Sequence, residues 1–314
     1  MSSSEGVIAE RERFSNETVN QIKFEVLHQL EPQYAIVFVG SYGRGEASKQ
    51  SDADYFLLYE NTVPREEEKS TVRQIITRYA AAPSSNGAFD DVESYERIAR
   101  NVGGPDDTND NITRRILFLL EGSCIIGEPV MNRVRDKLLD QVYLKDQLPM
   151  QTLPMFLLND VIRYYRTMCV DFEHKTREIA NKPWGLRNIK LVFSRKLLYF
   201  SGIAMLAETY NLESQETKDT LRQLIQLTPL ERVREIFGQD AGRAMDLYGE
   251  FLEKISDGGV RASLDQVRPN DESRRNNPDF RDLKDKGREF SNELVRLLSA
   301  RYEEDHLIHQ ALIV

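Results

Sequence analysis

The chain of 314 residues has only two cysteines, one tryptophan and four histidines. Cys124 and Cys169 lie among apolar residues at no metal-ligand spacing. That excludes a cysteine zinc site and a disulfide scaffold, and it reads as two buried thiols in a reducing compartment. No apolar run approaches the ~18 residues of a membrane span, and the opening MSSSEG lacks the charged-then-apolar build of a signal peptide. A soluble, cytoplasmic protein is expected. Basic charge is also scarce, with 42 Lys and Arg against 51 Asp and Glu and a net charge of -9. The molecular field therefore opposes loose binding to nucleic acid or anionic lipid, and such a partner would need a local basic site. His28, His174, His306 and His309 have no serine or cysteine at catalytic spacing and read as surface or partly packed residues.

What is present is a strong pattern of elements. Val19, Ile22, Val26 and Leu30 fall at helical spacing, Pro32 stops that helix, and YAIVFVG reads as a buried strand. A second strand, ADYFLLYE, is followed by Pro64 and REEE, which open a helix running to about residue 81. Residues 86–104 allow a short strand or turn and then a short helix, whereas NITRRILFLLEGSCIIGE is apolar enough for either a helix or a strand. Beyond about residue 148 the strand signals stop. Leu158, Val161, Ile162, Tyr165, Met168, Cys169 and Phe172 make one apolar helix face, and further helices are expected at 186–210, 216–227, 229–237, 241–255 and 281–302. RPNDESRRNNPD, polar and aperiodic, reads as a mobile loop. The chain length suits two domains, placed at 1–147 and 148–314. The closing HLIHQALIV is apolar, and packs on its own domain or docks a partner protein or a second subunit.

The chemistry concentrates in FVGSYGRGEASKQSDADYFLLYE. Alternate residues of a strand share a face, so Asp52 and Asp54 point one way while Ala53 points the other. Two carboxylates so close repel by roughly 4 kcal/mol at an effective dielectric near 20, and a cation between them relieves it. Hard oxygen donors suit Mg²⁺ or Mn²⁺, completed by water and phosphate oxygens. Upstream, Gly40, Gly43 and Gly45 let backbone N–H groups approach a polyphosphate, the Ser41 hydroxyl adds a donor and Arg44 adds charge.

GSYGRGEASKQSDADYFL resembles the GS-x-x-R-G-E…SD-x-D signature of the DNA polymerase β-like nucleotidyltransferase superfamily. The resemblance implies an α/β (α+β) fold with a mixed sheet, followed here by an all-helical C-terminal domain. It also implies that Gly40 and Ser41 bind a nucleoside triphosphate and that Asp52 and Asp54 hold divalent metal. NKPWGLRNIKLVFSRKLL resembles the N-x-K…GGLRD-I segment of PII-uridylyltransferase-like proteins through Lys182, Gly185, Leu186, Arg187 and Ile189. Trp184 replaces one of its glycines and Asn188 replaces its Asp. Arg187, Lys190 and Ser194 fall at i, i+3 and i+7, a polar stripe able to clamp phosphates, with a merely solvated helix face as the alternative. Arg163 and Arg166 are weaker candidates of the same kind.

The superfamily usually supplies a third, base-like carboxylate. Glu121, within LLEGSCIIGE, is the first candidate, followed by Asp90 and Asp91, and a two-carboxylate site stays open. The expected function is metal-dependent transfer of a nucleoside monophosphate from a triphosphate, with pyrophosphate released, in a cleft between the domains. The acceptor hydroxyl belongs to a nucleotide, in bacterial signalling or antiviral defence, or to a protein side chain. The rival is a degenerate module that senses nucleotide or binds a partner without turnover.

Overall fold

The computed structural model describes residues 3–82, 92–177, 183–269 and 272–313. A long helix, α1 (Ser3–Gln29), buries Ile22 and Val26 completely. All four residues of strand β1 (Ala35–Phe38) are buried, as their continuous apolar run requires when both faces of a strand are covered. One helical turn, α2 (Gly40–Gly43), leads towards β2 (Tyr55–Tyr59), which lies antiparallel to β1 with Phe38 opposite Tyr55. Helix α3 (Glu66–Tyr79) starts on three glutamates at its positive end, and the Arg65 N–H donates to Glu68 at 2.8 Å to close a capping box. Strand β3 (Val92–Ser94) then pairs parallel to β2, and α4 (Tyr95–Ala99) follows it.

The stretch readable as helix or strand is both. Helix α5 (Asn109–Glu121), capped by Thr108, passes straight into β4 (Ser123–Ile126), antiparallel to β1. Gly122 permits that abrupt change, because a Cβ there would run into the Phe118 carbonyl. The sheet is mixed and four-stranded, in the order β3-β2-β1-β4. Gly127, at φ +81, turns the chain into α6 (Glu128–Leu138).

After α6 the described elements are helical. They are α7 (Met155–Arg177), α8 (Trp184–Lys190), α9 (Lys196–Ala207), α10 (Ser214–Ile225) and α11 (Pro229–Phe237). Then come α12 (Gly242–Ser256), α13 (Gly258–Asp265), α14 (Ser273–Asn276), α15 (Pro278–Arg301) and α16 (Leu307–Ala311). Between α8 and α9, Leu191–Arg195 forms a π-helical turn. The segment expected as a mobile loop contains α14 and the start of α15, whose Asn277 side chain accepts from the Phe280 N–H at 2.9 Å. Asn277-Pro278 is a helix-start signal that the surrounding polar composition obscures. At the C-terminus Ile308 and Ala311 are buried, whereas Ile313 is 85 % exposed. Among the described residues no helix is long and apolar enough to cross a membrane.

Two compact units interleave along the chain. Glu10–Asp160 with Thr209–Thr228 contains the sheet, and α10 belongs there because Arg222 bonds Asp136 and Asp140, each at 2.8 Å. Met1–Ala9, Val161–Glu208 and Pro229–Val314 form a helical unit. Its core stacks Phe193 on Phe251, with ring centroids 4.5 Å apart, and on Phe290. Both cysteines are free thiols, but each is half-buried rather than buried as expected, since Cys124 borders a cavity and Cys169 lies on a partly open part of α7.

At the heart of the sheet-bearing unit the cation of Arg115 is fully buried. Arg115 donates from Nε to Asp160 at 2.7 Å and from Nη2 to Asp107 at 3.0 Å, while the Tyr143 hydroxyl donates to Asp160 at 2.6 Å. Arg115→Met leaves two buried carboxylates without their counter-charge, and urea unfolding is expected to show a loss of about 3–5 kcal/mol. A loss below about 1 kcal/mol, the ceiling for an exposed pair, would contradict this account.

Candidate active site

The signature turn is built by its glycines, each for a different reason. Gly40 sits at φ +65, a conformation costly for other residues. A Cβ on Gly40 would also come within 2.9 Å of the Asp54 Oδ2, so glycine is what lets that carboxylate approach the backbone. Gly43 is wedged in the fold instead: a Cβ there would strike the Glu121 carbonyl and stand 2.7 Å from that of Phe38. Gly45, at φ +70, ends the turn.

Asp52 and Asp54 sit where β2 begins. Ala53 is fully buried and Tyr55 nearly so, while the two acids between and before them are half-exposed. This alternation puts both carboxylates on the face away from Ala53, as strand geometry requires. The ladder extends past the strand ends, with the Val39 N–H donating to the Asp54 carbonyl and the Ala53 N–H to that of Ala81, both at 2.9 Å. Those bonds fix Asp54 beside the turn. The phenol of Tyr42 is raised above its usual range, first by burial and in part by the negative charge of Asp52.

Glu121 has a different position from the one expected of a third catalytic carboxylate. Its side chain is fully buried; Oε1 accepts from the Gly40 N–H at 2.8 Å and Oε2 from Arg44 Nη1 at 2.6 Å. Arg44 in turn donates from Nε to Glu46 at 2.8 Å. Both oxygens of Glu121 are therefore committed to holding the turn. The same bonds correct the expectation for the phosphate donors. The Gly40 amide is used by Glu121, the Gly43 amide donates to the Val39 carbonyl at 3.2 Å, and the Gly45 amide to that of Tyr42 at 3.1 Å. Arg44 is buried and ion-paired. Of the expected phosphate contacts in the turn, Ser41 is the one whose hydroxyl is not consumed internally among the described residues.

Asp90, Asp91 and Lys182 lie outside the described residues. A carboxylate the sequence reading passed over, Glu93, is paired in register with Leu58 and so shares the face of Asp54, two alternations along β2. It stands roughly 13 Å further along the strand, at about 3.3 Å per residue, and its charge is met by Arg114 at 3.0 Å. Glu93 is thus a buried structural acid.

In the helical unit the basic stripe is redrawn by the π-helical turn. That turn inserts an extra residue into the helical repeat, so spacings counted at 3.6 residues fail across it. Ser194, expected beside Arg187 and Lys190, is buried and accepts from the Tyr248 hydroxyl at 3.2 Å. Arg187 is lowered from its usual range by burial, with Asp171 opposing and Arg195 adding to the shift. Lys196, not foreseen, is lowered by burial and bonds the Ser291 hydroxyl at 2.6 Å. Lys284 is lowered by burial and by Arg274, Lys196 and Arg288, and donates to Asn188 at 3.0 Å. Burial of Gly185 explains its match: a Cβ there would meet the Leu264 carbonyl. Arg163 is half-buried and Arg166 exposed on α7, where Tyr165 stacks on Tyr199 with centroids 4.6 Å apart.

The model of the nucleotidyltransferase domain family matches residues 20–100, the stretch from α1 through β1, the turn, the two aspartates and β3. This segment is a nucleotidyltransferase domain. Its family match agrees with the DNA polymerase β-like superfamily and with the mixed sheet and helical C-terminal region observed here. A search of curated proteins gave no match. Nucleotidyltransferase domains transfer nucleoside monophosphates and typically employ divalent metal. Among the described residues no group of three or more His, Cys, Asp or Glu side chains gathers to hold a metal. The available donor set is the Asp52 and Asp54 pair beside the Gly40 cradle, which fits Mg²⁺ better than Zn²⁺ because magnesium takes one or two carboxylates and keeps water and phosphate oxygens for the rest.

The assignment of Glu121 to the turn is open to direct measurement. Glu121→Gln sets an amide donor against Arg44 inside the fold, and unfolding is expected about 3 kcal/mol easier. Glu121→Asp, which keeps the charge but shortens its reach, should recover part of that loss. A Glu121→Gln variant as stable as the parent but without activity would instead make Glu121 a reacting group.

Proposed function

We propose that the chain transfers a nucleoside monophosphate from a nucleoside triphosphate to an acceptor hydroxyl, releasing pyrophosphate. The observation that carries this reading is the closeness of Gly40 to Asp54: only the missing Cβ leaves room for the Oδ2. One ligand can therefore touch turn and acid together. Bound Mg²⁺ or Mn²⁺ would neutralise the triphosphate and stabilise charge developing on the leaving pyrophosphate. Asp52 and Asp54 hold that cation, and Ser41 donates its hydroxyl to the triphosphate. Glu121, Arg44 and Glu46 keep the turn in shape without touching substrate. With both oxygens of Glu121 engaged, the proton of the attacking hydroxyl falls to Asp90 or Asp91, the remaining sequence candidates, or to the acceptor's own surroundings.

Residues 1–147 make the catalytic domain in this reading, and the helical residues 148–314 contribute phosphate-binding cations. Arg187, Lys190 and Lys182 are the candidates from sequence, joined by Lys196 and Lys284. These cations support binding of a short anionic substrate despite the net charge of -9. The acceptor is a nucleotide, giving an oligonucleotide or cyclic messenger for signalling or defence, or a tyrosine or serine of a protein.

The reading is tested by incubating the protein with labelled triphosphates and Mg²⁺ and following pyrophosphate. Asp54→Ala, with its fold checked by circular dichroism, is expected to lower release about 10³-fold, equivalent to roughly 4 kcal/mol of lost charge stabilisation. Mass spectrometry of the products then separates a nucleotide added to the polypeptide from a new soluble oligonucleotide. The engagement of both Glu121 oxygens by the turn favours one other reading, a nucleotide sensor. Triphosphate binding with no pyrophosphate release across nucleotides and acceptors would select it.

A further inference from the structure

The sheet-bearing unit has a polar cavity of about 260 Å³ behind the signature turn. Gly43 and Gly122 form part of its wall, and Arg135, Ser123, Cys124, Asn132 and Thr228 turn polar or sulfur-bearing side chains to its lining. Glu128 also borders it, from an exposed position.

Arg135 is the unusual member. It is 8 % exposed, and no carboxylate among the described residues pairs with it. Nη2 donates to the Gly122 carbonyl at 2.7 Å and reaches that of Phe118 at 3.4 Å, at the negative end of α5. Those bonds account for one nitrogen, and Nε is buried with no hydrogen-bond partner. Burial lowers the guanidinium to about 10, so it remains cationic at neutral pH. The guanidinium lies over the Phe118 ring, 5.6 Å from its centroid, and Arg135 borders a cavity lined by hydroxyl and amide residues; a buried cation with no carboxylate partner is costly unless an anion completes it.

We infer that this cavity is a binding site for a small oxyanion, a phosphate or carboxylate group, whose oxygens are received by Arg135 with help from Ser123, Asn132 and Thr228. The cavity is somewhat smaller than a drug-sized ligand pocket of ~300 Å³ and upward, which restricts the occupant to a compact metabolite or a free ion. The inference is independent of the proposed transfer reaction, since it involves neither Asp52 nor Asp54.

Cys124 provides a local reporter, because an occupant of the cavity shields its thiol. Alkylation of Cys124 would be timed in a Cys169→Ser protein at alkaline pH, with inorganic phosphate or acetate as the probe and chloride at matched ionic strength as control. At about ten times the dissociation constant the reaction should slow about tenfold. Protection by phosphate alone or by acetate alone identifies the preferred oxyanion, and protection by both supports the shared chemistry. Arg135→Met should abolish protection, while Asp54→Asn should leave it intact. Should Arg135→Met not fold, Asn132→Leu, which fills the cavity and spares the carbonyl bonds of Arg135, should abolish it as well. Equal alkylation rates with and without both anions would overturn the inference, as would full protection in a folded Arg135→Met or Asn132→Leu protein.

Discussion

One buried carboxylate organises the turn on which the site depends. Glu121 ends α5 and reaches across to the Gly40 amide and the Arg44 guanidinium, 81 and 77 residues earlier in the chain. In a low-dielectric interior such charge-assisted bonds are strong, yet desolvating both ions offsets much of the gain. Their main effect is on conformation. With Glu121 gripping the start and Arg44 the end of α2, Gly40 is held at its positive φ and the space beside it stays open for Asp54. The acid at the head of β2 is thereby set against the turn by packing that exists before any ligand arrives, so little ordering cost remains for binding.

This arrangement changes what the glycines mean. A glycine-rich stretch before an acidic pair suggests amides aimed at phosphate, but here those amides close the turn on itself and bond Glu121. Gly43 in particular is squeezed between two backbone carbonyls, a packing requirement with no ligand in it. In the helical unit, burial lowers Arg187, Lys196 and Lys284, and the nearby charges of Arg274, Lys196 and Arg288 add to the shift of Lys284.

The parts of the fold written in local periodicity were legible from sequence. Asp52 and Asp54 were readable because a strand alternates every second residue, and β1 and β2 because each is a short apolar run bounded by turn residues. The role of Glu121 was not, because it depends on a partner 81 residues away and a fully buried acid looks like any other in a chain. Ser194 was misread for a local reason: the π-helical turn at Leu191–Arg195 shifts the phase of the helix, and nothing in LVFSR announces it. Helix α14 is hidden because its polar composition resembles that of a loop, although Asn277-Pro278 carries the start signal of α15.

The two sides of the turn share one helix end. Gly43 and Glu121 line the cavity that Arg135 borders, while the Glu121 carboxylate bonds the Gly40 amide and Gly40 lies beside Asp54. Arg135 bonds the carbonyl of Gly122, the residue that follows Glu121, so the guanidinium and the carboxylate are anchored to adjacent positions at the end of one helix. A Cβ on Gly40 would come within 2.9 Å of the Asp54 Oδ2, so the missing side chain keeps the front of the turn open while Arg135 braces its back through the Gly122 carbonyl.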